Sequence, residues 1–197
     1  MFKNDNIMAN SRKKIMKIAI VGTHGSGKST IISAVYSRLK KNNISVFIAP
    51  EVARSSLFLA AKEKVPKMQM DLFGRQISNE MTNSRNCEVL LCDRSLFDIL
   101  MYTKIFFEDN DEANIYINSM TQFCKYYTKS YDYIFLTSKL FSPKKVKDDI
   151  RPKDETFQKK AHAELKNILD EFSVEYSILG SSPEDEIFNW IKNNQSS

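Results

Sequence analysis

Gly22-Thr23-His24-Gly25-Ser26-Gly27-Lys28-Ser29 is the stretch from which the rest of this 197-residue sequence can be read. It satisfies G-x-x-x-x-G-K-[ST], and it lies between a short apolar run, Ile15–Val21, and a segment where Ile32, Val35 and Leu39 recur at i, i+3, i+7. A strand entering and a helix leaving such a loop is the context that gives it a phosphate-binding meaning. Glycines allow backbone conformations in which successive N–H groups converge on phosphate oxygens. The helix that starts there adds its unpaired N–H groups and the positive end of its dipole. Gly22, Thr23, His24, Gly25, Ser26, Gly27, Lys28, Ser29 and Thr30 are thus the expected contacts of a nucleoside triphosphate, with Lys28 placing a full charge near its outer phosphates. The Ser29 hydroxyl can ligate Mg²⁺, which takes few protein oxygens and keeps several waters. His24 reads as a spacer whose backbone does the binding.

Outward from this loop, short apolar runs alternate with helical patterns, the signature of an α/β protein with a parallel sheet. The expected strands are Ile15–Val21, Ser45–Ala49, Val89–Cys92, Tyr133–Leu136 and Val174–Leu179. Val89 to Cys92 are consecutively apolar, as in a strand covered on both faces. Helices are predicted where Ala161, Leu165, Ile168 and Phe172 share a face, and where Ile187, Trp190 and Ile191 do. Pro66 separates a helix beginning near Ala53 from one over residues 67–86, and residues 97–107 read as a buried helix. Residues 1–14 are polar and basic without apolar period and read as a mobile arm ahead of a single domain, 15–197.

Composition narrows the class. At 42% hydrophobic and 27% charged residues, the chain can build a core and is not disordered throughout. No run approaches the roughly 18 apolar residues of a membrane span. Three cysteines, an odd number without C-x-x-C spacing, argue against a disulfide framework or a zinc site and fit a reducing cytoplasm. The net charge of +5 is unevenly placed: residues 1–17 hold five basic side chains against one acid, and residues 139–153 hold six against two. The remainder is acidic, which argues against a surface built to track nucleic acid.

Val89-Leu90-Leu91-Cys92-Asp93 resembles a Walker B strand, delivering a carboxylate to the sheet edge where it can hold a metal's water shell. Arg94 follows, where Walker-type hydrolases place a second acid, and the fourth strand ends in Thr137-Ser138-Lys139-Leu140 without a guanine-reading N-K-x-D. Both features favour transfer to a bound acceptor over hydrolysis. Glu51, after the second strand, can accept the proton of an attacking hydroxyl, and Arg54 can hold a phosphate; a solvated Glu–Arg pair is the plainer alternative. Asp98 lies four residues beyond Arg94, so the two either form an ion pair or serve the substrate. The basic segment 139–154, with Pro143 and Pro152, reads as a loop that closes over the triphosphate, Arg151 being its best phosphate ligand.

Together with Phe73-Gly74-Arg75-Gln76-Ile77, Glu51-Val52-Ala53-Arg54, Cys92-Asp93-Arg94-Ser95 with Asp98, and Asp149-Ile150-Arg151-Pro152-Lys153-Asp154, the loop resembles P-loop small-molecule kinases. The similarity is greatest to the family holding the kinase half of bifunctional nicotinamide riboside kinases, also described as AAA-type ATP-binding domains, and extends more distantly to deoxynucleoside kinases. It spans about Lys17 to Asp185. It implies a five-stranded parallel sheet in the order 2-3-1-4-5, flanked by helices, with a lid after strand four. It also implies Glu51 as base, Asp93 and Arg94 as the pair handling metal and phosphate, and Arg151 as the lid arginine. One departure stands out: Val52 follows the glutamate where deoxynucleoside kinases usually carry proline.

The expected activity is transfer of the terminal phosphoryl group of ATP, with Mg²⁺, to a hydroxyl or phosphate of a nucleoside-like small molecule. Lys28 and the loop hold ATP, and Ser29 with Asp93 organise the metal. Glu51, or Asp93 where the glutamate is too distant, orients the attacking group, while Arg94, Arg54 and Arg151 offset developing charge. Gln76, Phe73, Phe97 and Tyr102 are candidate walls of the acceptor pocket, and Asp98 is a further substrate candidate. The rival readings are a nucleotide-dependent switch that transfers nothing and a polynucleotide 5′-kinase. A membrane partner is not expected, and a homodimer is left open.

Overall fold

A computed structural model describes residues 15–60, 65–138 and 155–195. In chain order these form β1 (Met16–Val21), α1 (Lys28–Lys41), β2 (Val46–Ala49), α2 (Leu57–Ala60), α3 (Pro66–Asn83), β3 (Val89–Asp93), α4 (Leu96–Phe106), α5 (Asp111–Tyr127), β4 (Tyr133–Thr137), α6 (Glu155–Glu171), β5 (Tyr176–Leu179) and α7 (Pro183–Asn194). The arm 1–14 and the expected lid 139–154, Arg151 included, lie outside the described residues.

The strands pair in parallel in the order β2-β3-β1-β4-β5, as the resemblance implies. Side-chain alternation splits the core in two. Ile18 and Ile20 of β1, Val89 and Leu91 of β3 and Phe135 of β4 meet α1 and α7 on one face. Ala19 and Val21, Leu90 and Cys92, and Ile134 and Leu136 meet α3, α4, α5 and α6 on the other. Both faces being covered, β3 has no solvent side, which explains its unbroken apolar run. The register pairs Ile20 with Asp93 and Val21 with Leu136, so the loop after β1 emerges level with the ends of β3 and β4. β1 leads to α1 on one face and β3 to α4 on the other, which opens a crevice at the carboxyl edge, where ligands bind in such sheets.

Local differences from the sequence reading have physical causes. The helix expected from near Ala53 is instead a 3₁₀ turn, Val52–Ser55, followed by the short α2, because Ser56 is extended (φ −75°, ψ 125°). α3 starts on Pro66, whose ring is tolerated in the first turn and holds Val65 extended. The expected helix over 67–86 ends at Asn83, with a 3₁₀ turn over Ser84–Asn86. β3 runs one residue further than expected and includes Asp93. Helix α5, for which the apolar spacing gave no signal, buries only Ala113, Met120 and Cys124; its start is marked by the Asn110 side chain accepting from Ala113 N (3.1 Å) and by Asp111 and Glu112 in the first turn. No described helix is long and apolar enough to cross a membrane. Cys87, Cys92 and Cys124 are free thiols, and among the described residues no cluster of His, Cys, Asp or Glu could hold a metal by itself.

Candidate active site

The loop between β1 and α1 is shaped by its glycines. Gly22, Gly25 and Gly27 have φ of 141°, 72° and 83°. A side chain at Gly22 would also collide: its Cβ would lie 2.1 Å from Thr137 Oγ1. Thr137, at the end of β4, pins the loop, its Oγ1 lying 3.2 Å from Val21 O and 2.9 Å from Ser26 Oγ, with one proton to donate to either. Nothing in the sequence marked this threonine, because its role depends on the β1–β4 register. No acid occupies the first turn of α1, so its positive end faces the loop uncompensated, while Arg38, Lys40 and Lys41 complement the other end.

Lys28 is buried, and its Nζ donates to Gly22 O (2.9 Å), Thr23 O (2.6 Å) and Ser26 Oγ (3.1 Å). Burial, with Arg94 adding to it, lowers its pKa from 10.5 to about 7; Asp98, Asp93 and Glu51 oppose the shift. Ser29 Oγ donates to Asp93 Oδ2 at 2.7 Å, which brings together the two residues expected to organise the metal. Asp93 Oδ1 is buried with no hydrogen-bond partner. A carboxylate oxygen of that kind, beside a hydroxyl and a loop of convergent N–H groups, fits a hydrated Mg²⁺ and the triphosphate that carries it. Thr30 is exposed on the first turn of α1.

Arg94 is the hub. Its guanidinium donates from Nε to Glu51 Oε1 (2.6 Å) and from Nη1 to Gly22 O (3.0 Å), with Asp98 Oδ1 at 3.4 Å from Nη1. Burial works against its charge, but Glu51, Tyr102, Asp98 and Asp93 outweigh it and keep the guanidinium protonated. The Tyr102 ring lies 5.5 Å from it. Asp98 is fully buried and turned toward backbone: Oδ1 accepts from Gly22 N (3.1 Å), and Oδ2 accepts from Ser95 N (2.8 Å) and Ser95 Oγ (2.9 Å). Ser95 Oγ in turn caps α4 by accepting from Phe97 N (3.2 Å). The phosphate loop and the start of α4 are thereby clamped at one carboxylate.

His24 is buried; its backbone N donates to Tyr102 Oη (3.2 Å), and its ring lies 6.1 Å from that of Phe157 at the start of α6. Gln76, Phe73 and Phe97 are buried, and Gln76 Nε2 donates to Glu80 Oε1 (2.8 Å) and Arg94 O (3.4 Å). The turn carrying Arg54 follows Glu51, but its side chain is outside the described residues. Ser29, Ile32, Ser33, Ile48, Pro50, Glu51 and Asp93 line a cavity of about 430 Å³ beside the loop. The site thus unites the phosphate loop, a metal-type Ser–Asp contact and a second carboxylate on one cavity.

This five-stranded parallel sheet in the order β2-β3-β1-β4-β5, with the G-x-x-x-x-G-K-S loop after β1, is the fold of P-loop proteins. Over residues 17–185 the sequence matches the AAA domain family, and the chain belongs to it. No curated protein matches at a significant level. Among solved structures, deoxyadenosine kinase from M. mycoides with products dCMP and a flexible dCDP is similar at 20% identity and a TM-score of 0.64, covering 90% of this chain and 100% of that one. The same kinase with bound dATP is similar at 20% identity and a TM-score of 0.61, over 92% of this chain and 100% of that one. NadR in complex with NR is similar at 16% identity and a TM-score of 0.63, over 93% of this chain and 51% of NadR. The present chain therefore corresponds to about half of NadR.

Proposed function

We propose that the chain is an ATP- and Mg²⁺-dependent phosphotransferase acting on a nucleoside-like small molecule. The observation that carries this reading is the placement of Glu51 on the same cavity as Ser29 and Asp93, joined through Arg94 to the carbonyl of Gly22. Here a carboxylate and a guanidinium face one another where an acceptor would meet the phosphate loop. Two neighbours of the same fold also support a nucleoside-like acceptor, one solved with dCMP and dCDP and the other with NR.

When bound, ATP with Mg²⁺ supplies the transferable phosphoryl group and neutralises part of its charge. Lys28 would leave the carbonyls of Gly22 and Thr23 for phosphate oxygens, and the loop amides other than those of Gly22 and His24, which Asp98 and Tyr102 engage, would orient them. Ser29 and Asp93 are the residues that would hold a hydrated Mg²⁺. Glu51 orients the acceptor's attacking group and takes its proton, and Arg94 stabilises charge building on the transferred group. Gln76 positions the acceptor, and Asp98 acts on it through Gly22 and Arg94; the expected roles of Arg54 and Arg151 fall on side chains outside the described residues.

The decisive measurement is ADP release with ATP and Mg²⁺ against a panel of ribonucleosides, deoxynucleosides, nicotinamide riboside and monophosphates. ADP appearing only with an acceptor is the expected result. Steady hydrolysis without one, or silence with every member, overturns the proposal.

A further inference from the structure

We infer that Glu80 is a positioning residue for Arg94, and that its charge pair with Lys17 is the fixed point from which the Arg94 turn is held. The inference rests on the kinase reading for its catalytic consequence, though not for its geometry. Arg94 has φ of +83°, a conformation that side chains other than glycine adopt only where neighbours hold them, at roughly 1–3 kcal/mol of strain. Two hydrogen-bonded arms trace back from this turn to one carboxylate oxygen. Gln76 Nε2 links Arg94 O (3.4 Å) to Glu80 Oε1 (2.8 Å), and Tyr131 Oη accepts from Leu96 N (3.2 Å) while donating to the same Oε1 (2.9 Å). Glu80 is buried on α3. Its Oε2 meets Lys17 Nζ and accepts from Tyr127 Oη (3.3 Å), and that ammonium lies 4.5 Å and 4.4 Å from the centres of the Tyr127 and Tyr131 rings.

The geometry favours a positioning device over a plain buried ion pair. The two N–H groups of the Gln76 amide face two acceptors, so the amide cannot rotate without stranding one of them. The same helix reaches the other half of the Glu51–Arg94 pair, for Asn79 Nδ2 donates to Pro50 O (2.9 Å), the residue before Glu51. Residues 76, 79 and 80 thus hold the backbone on both sides of that pair. A buried ion pair serving stability alone can be exchanged for apolar side chains at little loss. One that aims a reacting group cannot.

The test compares wild type, K17M/E80M (which strands no charge) and Y131F (which cuts one arm and keeps the pair). Exchange of the Arg94 Nε–H proton, read by ¹⁵N NMR, reports its grip on Glu51 whether or not any acceptor is turned over. Exchange at least tenfold faster in both variants is expected. With the best acceptor, kcat should fall tenfold or more while ATP affinity stays within twofold, and R94K should abolish any further effect of K17M/E80M. Exchange and kcat within twofold of wild type in folded variants overturn the inference, as does an undiminished loss in the R94K background. Should K17M/E80M fail to fold, Y131F decides alone. Should wild type transfer nothing, the kinase reading fails and the exchange rates still settle the positioning.

Discussion

The Glu51 carboxylate and the Arg94 guanidinium form a 2.6 Å ion pair across 43 residues of sequence, with both side chains buried. Arg94 also reaches the carbonyl of Gly22, so Glu51 and the loop after β1 share one cation. Glu51→Gln keeps the size of the side chain but cannot take a proton. Turnover should fall by about 100-fold, in line with loss of a general base, while nucleotide affinity measured by titration calorimetry stays within twofold.

Lys28, with its pKa lowered by burial to about 7, should make nucleotide binding pH-dependent. Above pH 7 the free site holds a largely neutral amine, and a bound polyphosphate draws a proton onto it. Calorimetry in buffers of different ionisation enthalpy should show uptake approaching one proton at pH 8 and almost none below pH 6. Stability follows the same linkage. Between pH 7 and 10.5 the unfolded chain binds more protons at this lysine than the native one, so its unfavourable contribution shrinks as pH rises. In K28M, proton uptake and this part of the stability slope should both vanish, along with turnover.

Asp98 has no exposed surface and satisfies the Gly22 and Ser95 amides at once. Asp98→Ala would leave Arg94 and those amides short of a partner. Urea unfolding should show a loss of about 3 kcal/mol, the scale for breaking a buried charged network.

Gly22→Ala would force a side chain into the space of Thr137 Oγ1 at a φ of +141°. The loop must then shift, and affinity for a triphosphate should fall at least tenfold in a protein that still folds. Removing the hydroxyl in G22A/T137A relieves the collision but not the backbone strain, so at most part of the affinity should return.

Asp93→Asn keeps an acceptor for Ser29 Oγ but removes the charge facing a cation. The Mg²⁺ concentration giving half-maximal turnover should rise at least tenfold, and chelation should silence the wild type completely.

Much of this was legible in the chain. The eight residues from Gly22 to Ser29 announced a strand, a turn and a helix, because phosphate-binding geometry needs glycine at set spacings and a helix start beside them. The apolar run ending in Asp93 announced a strand covered on both faces, since period and polarity are local properties. Helix α5 escaped because few of its residues are buried, and the turn after Glu51 escaped because Ser56 alone breaks the helix there. Spacing offered Arg94 and Asp98 as an i, i+4 ion pair, which the structure shows, but Glu51 and Arg94 were recognisable only as separate candidates.

Partnership was decided by the sheet. The order β2-β3-β1-β4-β5 sets the ends of β2, β3 and β4 around the loop after β1, which brings Thr137 against Gly22 and Glu51 against Arg94. It also lets Lys17, at the start of β1, meet Glu80 on α3. Charges buried from water must find partners at hydrogen-bond distance, and which partners are within reach depends on strand order and register rather than on spacing along the chain. Residue types and their local rhythm determined what chemistry this protein can hold; packing in three dimensions determined which groups hold each other.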